Sequence, residues 1–223
     1  MKTPLVILAA VGVLLALFYA LAPAPDPDAV TARTDLPWQV EVLPDGTSRV
    51  LDLHLGVSTL NDALVKFGPY ESMAVFESES GERSLEAYFG AVDFGPLRAK
   101  IITALDMPED ELGALVGRAV ERKGSPTGDW KFMLGMPDQL AVRDRRLQSV
   151  TYIPTYRGLE ADFFRERFGE PAAWKALGEH AVQWFYPERG LYMVLDNRGQ
   201  EALEFVVPRL MTVPEDVTWA EKR

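Results

Sequence analysis

A helix stop that occurs twice constrains this chain more than any other feature. Lys66-Phe67-Gly68-Pro69 and Arg167-Phe168-Gly169-Glu170-Pro171 each close a stretch of helical character, and strand-like alternation follows each. Glycine takes the left-handed conformation past a helix end without penalty, and proline cannot continue the helix. Before the first stop, Leu60, Ala63, Leu64 and Phe67 recur at helical spacing behind Ser58 or Thr59 as N-cap. Before the second, a helix is expected from Leu159 to Phe168. The shared order of helix, stop and antiparallel strands predicts an α+β protein holding two similar units, at 36–125 and 126–223.

The strands are marked by alternation and by turn residues. Leu36 to Leu53 reads as a hairpin turning at Pro44-Asp45-Gly46. Strands are expected at Ser72–Glu77, Ser84–Phe89 and Leu97–Ala104 in the first unit. Acids crowd the start of a helix expected from Glu109 to Lys123, and Arg118, Arg122 and Lys123 sit near its end. The second unit carries strands at Trp130–Leu134 and Leu147–Pro154. A meander of Ala181–Tyr186, Leu191–Leu195 and Ala202–Val207 follows, with turns at Pro187–Gly190 and Asp196–Gly199.

From Leu5 to Ala22 the sequence is unbroken apolar residue, preceded by Lys2 and followed by Asp26 and Asp28. As a helix it would be about 27 Å long, near the thickness of a bilayer core. The alternative is a cleaved secretory signal, which usually has a shorter apolar core. Proline would follow the cut at both candidate sites, Ala20-Leu21-Ala22 and Ala22-Pro23-Ala24. The expectation is therefore a single-pass anchor within residues 1–25, in the inner membrane with a cytoplasmic N-terminus, followed by a tether at 26–35. That leaves the bulk of the chain periplasmic, with residues 5–22 in contact with lipid.

Composition narrows the function. A net charge of −10 argues against nucleic acid as a partner. Zero cysteines exclude thiol catalysis, thiolate metal sites and lipid attachment through cysteine. The two histidines, His54 and His180, fall in different units, and no nucleophile elbow, P-loop or zinc-helix motif is present. No cofactor, metal site or catalytic residue is expected.

The run LGVSTLNDALVKFGP at 55–69 resembles the opening signature of the BamE (SmpA/OmlA) group of envelope proteins. Gly56, Thr59, Phe67, Gly68 and Pro69 match it in kind. The second unit matches at Phe168, Gly169 and Pro171, then at QWFYP (183–187) and DNRG (196–199). A doubled unit of this type is similar to the β-lactamase inhibitor protein fold. The resemblance implies a protein that binds other proteins: a periplasmic assembly factor or accessory subunit of an envelope complex. A secreted inhibitor-type binding protein, or an enzyme with an unrecognised site, is the alternative.

Period-two alternation sorts the meander into two faces. Val182, Trp184, Tyr186, Leu191, Met193, Leu195, Leu203, Phe205 and Val207 form the set expected under the helix. Gln183, Phe185, Tyr192, Val194 and Glu204 form the other, mixing large aromatics with polar groups as interfaces do. This second face either packs on the other unit or receives the protein partner. Its five residues are the candidate binding site.

Overall fold

The structure, a computed structural model, describes residues 33–124, 128–156 and 159–221. The candidate anchor at 5–22 lies outside those residues. No helix among the described residues is long and apolar enough to cross a membrane. The expectations of a transmembrane helix in the fold and of single-pass inner-membrane placement are corrected accordingly and are not carried further.

Residues 34–223 form one compact unit. Three short strands, β1 (Glu41–Val42), β2 (Ser48–Val50) and β3 (Leu53–His54), open it and pair in sequence order. The hairpin expected over 36–53 is thus cut short. Leu51 and Asp52 both have positive φ (52° and 62°), as a two-residue hairpin turn between β2 and β3 requires. The apolar side chain of Leu51 is fully buried, which offsets its strained backbone. Helix α1 (Leu60–Phe67) follows, capped reciprocally: Thr59 Oγ1 accepts from the Asp62 N–H while Asp62 accepts from the Thr59 N–H.

The chain then builds β4 (Ser72–Glu77), β5 (Arg83–Phe94), β6 (Leu97–Leu105), α2 (Glu109–Gly117), β7 (Glu121–Gly124), β8 (Trp130–Met133), α3 (Met136–Ala141) and β9 (Leu147–Pro154). It continues through α4 (Ala161–Phe168), β10 (Ala173–Leu177), β11 (Ala181–Tyr186), β12 (Leu191–Asp196), β13 (Ala202–Val206) and β14 (Thr218–Trp219). The helix expected over 109–123 ends at Gly117, because Glu121–Gly124 pairs with β8 instead. Arg122 there lies 3.6 Å over the Trp130 ring.

Strands β4 to β14 form one antiparallel sheet of eleven, in the order β14-β10-β11-β12-β13-β9-β6-β5-β4-β8-β7. The fold class is corrected here: the described chain is mostly antiparallel strand, gathered into this sheet and the small one, and is not an α+β pair of separate helix-plus-sheet units behind a membrane helix. The physical reason is the position of β9. It pairs with β6 on one side and β13 on the other, so two would-be sheet edges satisfy each other's backbone groups. Strand β8 likewise pairs with β4 and β7 across the boundary placed at 125/126.

A single core lies on one side of this sheet. Phe67 of α1 packs edge-on against Phe89 and Phe94 of β5, and Leu112 and Leu115 of α2 join the same core. Phe168 of α4 meets Tyr186, whose hydroxyl donates to the Gly169 carbonyl at 3.0 Å. Both helix stops hold where the sequence puts them: Gly68 and Gly169 cap α1 and α4 at positive φ (84° and 77°). The face expected to be core is core, with Leu191, Met193 and Phe205 fully buried. The other side of the sheet carries no helix-borne core.

Candidate functional site

The register places all five candidate residues on the helix-free face. Phe185 stands opposite Tyr192, Tyr192 opposite Glu204, and Gln183 opposite Val194. Extending the first row, Glu204 faces Thr151 on β9, Thr151 faces Ile102 on β6, and Ile102 faces Tyr88 on β5. One transverse line of side chains therefore crosses both sequence units. A parallel line runs Ala74, Glu86, Ala104, Ser149 and Val206.

The two ends of this face are dressed differently. After β13 the chain must travel from the fifth strand position to β14, which pairs with the far edge of β10. It does so across the helix-free face. The Tyr192 hydroxyl donates to the Thr212 carbonyl at 2.8 Å and accepts from the Thr212 N–H at 3.1 Å. Farther on, Lys175 of β10 pairs with Asp216. Beneath this strap Phe185 is only 1% exposed and meets Tyr192 edge-on at 5.9 Å. At this end the chain's own C-terminal segment crosses the face, tied to it at Tyr192 and at Lys175. Phe185 is a buried residue, and Tyr192 serves the strap.

The free part of the face lies over β13, β9, β6 and β5. A cavity of about 610 Å³ opens there, lined by Glu86, Ile102, Thr151, Tyr192, Glu204 and Val206 among others. Burial pushes the carboxyl of Glu204 above its ordinary range, opposed by a hydrogen bond from Ser149. Burial raises Glu86 in the same way; the neighbouring charge of Glu204 adds to the effect, while Ser84 and Lys131 oppose it. Two carboxyls are thus held on one half-buried surface among Ile102, Tyr88 and Val206.

Glu86, Ile102, Tyr88 and Thr151 were not among the candidates, which were confined to the second unit. The signal was present in Ser84-Leu85-Glu86-Ala87-Tyr88, whose alternate residues form a polar and aromatic set like that of the meander. What alternation lacks is any statement that β9 joins the two sheets.

The histidines serve local structure. His54 Nε2 lies 2.7 Å from Thr47 Oγ1, which donates to Asp45 at 2.6 Å. His180 lies 3.7 Å from Glu179, and its backbone carbonyl accepts from the Asn197 N–H. Among the described residues, no group of three or more His, Cys, Asp or Glu is placed to hold a metal ion. The acidic loop after β4 is tied in by Arg83, which pairs with Glu77 and Glu109 at 2.6 Å each.

No protein-family model, no curated protein and no solved structure matches this chain. The functional reading therefore rests on the geometry of this face.

Proposed function

We propose that this protein works by binding another protein, without catalysis of its own, on the helix-free face of the sheet where β5, β6, β9 and β13 run side by side. The observation that carries the reading is the transverse row Tyr88, Ile102, Thr151 and Glu204, half-buried and covered by no helix. Its make-up is that of an interface: aromatic and branched apolar surface with hydrogen-bonding groups between. A sheet backbone holds these side chains rigidly, which lowers the ordering cost of association. The two carboxyls, reluctant to ionise where they stand, favour a partner that brings hydrogen-bond donors to an apolar patch. An accessory subunit or assembly factor of a larger complex is the concrete form, the direction in which the BamE-like residues of 55–69 also point.

A photo-activated crosslinking residue at Ile102 or Thr151, introduced in the producing cell, tests this. Irradiation should give discrete adducts with one protein at both positions. The same residue at Val65, exposed on the outer side of α1, should give none. Equal labelling from Val65, or no protein adduct from the sheet positions, refutes the assignment.

A further inference from the structure

A second site lies on the opposite side of the sheet. A cavity of about 760 Å³ opens between the start of α4 and the ends of β10 to β13, within the size range of small-ligand sites. Trp174 and Trp184, directly opposed on β10 and β11, form one wall. Leu159, Val182 and Leu195 form an apolar lining. Glu201 completes it. Its position just before β13 gives it the parity of Leu203 and Phe205, so its side chain is on the helix side. It is 3% exposed, and its Oε2 has no hydrogen-bond partner among the described residues.

We propose that this cavity binds an alkylammonium or guanidinium cation, with the Glu201 carboxylate as its anchor. Taking a carboxylate oxygen out of water without a donor is costly, and a cation delivered to it offsets that cost. The cation does not come from the cavity's own arginines. Arg165 pairs with Asp162 and Glu170 and lies 4.8 Å from the Trp184 ring centre. Arg198 sits in the exposed turn that Asp196 fixes through the Arg198 N–H. The lining acids, Glu160, Glu170, Asp196 and Glu201, outnumber Arg165 and Arg198, so the local field favours positive charge. The apolar lining suits an alkyl stem, and Trp174, 42% exposed, offers a ring face to the charged head. The same chemistry belongs to a free diamine and to a lysine side chain of a protein.

Titration of the full chain followed by tryptophan fluorescence and calorimetry tests the site, with three probes: cadaverine, N-acetyl-lysine methylamide and maltose. At least one of the two cations should bind saturably below about 10 mM. Tighter binding of the lysine amide marks a protein source, and tighter binding of cadaverine a free diamine. Glu201→Gln should weaken the cation at least about tenfold, while Glu121→Gln, on the exposed strand β7, leaves it unchanged. Without ligand, Glu201→Gln should leave Tm unchanged or raise it, because Oε2 has no internal donor to lose. No saturable cation binding, binding that survives Glu201→Gln, equal binding of maltose, or a lowered Tm in that variant each overturns the proposal.

Discussion

Phe185→Ala separates the two ways of reading the helix-free face. Read from the sequence, Phe185 belongs to a face that either packs on the other unit or receives a protein partner. In the structure its ring is 1% exposed and meets Tyr192 edge-on, on the face that the C-terminal strap crosses between its ties to Tyr192 and Lys175. A fully buried phenylalanine costs about 3–5 kcal/mol on truncation to alanine. Here the lower part of that range applies, because a surface strap can settle into the space left behind. For a unit of this size each kcal/mol moves Tm by about 2–4 °C, so a cost of about 3–4 kcal/mol should lower melting by roughly 6–16 °C. Thermal and urea denaturation followed by circular dichroism gives the number. The same substitution in a chain ending at Leu210, which lacks the strap, should cost only about 1 kcal/mol, since the ring is then exposed on one side in the folded state. A cost below about 1 kcal/mol in the full chain, or an equal cost in both chains, would show that the strap does not bury Phe185.

Three further outcomes are expected. Tyr192→Phe should cost about 1 kcal/mol or less, because water replaces the lost hydroxyl bonds at Thr212, yet it should speed hydrogen exchange at the Thr212 amide; unchanged exchange would disconnect Tyr192 from the strap. Phe205→Ala, fully buried under the helices, should cost about 3–5 kcal/mol, while Tyr88→Ala on the free face costs less than half as much, as comparative urea melts would show. Glu86 and Glu204 have raised pKa values when folded, so each holds its proton more tightly in the folded state. Their effect on stability is absent below the unfolded carboxyl pKa and becomes a penalty as pH rises through the folded pKa. Glu204→Gln and Glu86→Gln should therefore raise Tm at pH 7 and give little change at pH 4; a larger gain at pH 4 would reverse the assignment.

Much of the fold is legible along the sequence because local signals and tertiary structure agree. The Phe-Gly stops, the strand Leu147–Pro154 and the three strands of the meander sit where alternation and turn chemistry place them. The faces of the meander were legible for the same reason, since parity alone sorts Phe205 from Glu204. What escaped is long-range. Residues Glu121–Lys123 have the charges of a helix end, but their backbone groups find partners on β8, and the pairing overrides propensity. Strand β10 (Ala-Trp-Lys-Ala-Leu) shows no clear alternation and forms because β11 and β14 flank it. The candidate site was half legible: its five residues do share one face, but nothing in Thr212 or Asp216 announces that the chain folds back across it.

The ends of the eleven-stranded sheet bear on how the molecule stays out of aggregates. A sheet this wide exposes unpaired backbone groups along two borders, which are templates for adding a stranger's strand. One border is β7, whose sequence Glu-Arg-Lys-Gly is fully exposed and would force charge against charge on any flat apolar strand laid beside it. The other is β14, only two residues long and followed closely by the charged Glu221. Both borders thus discourage growth along the hydrogen-bonding direction. Strand addition is discouraged along β7 and β14, which makes the broad flank of the sheet the better surface for the proposed partner.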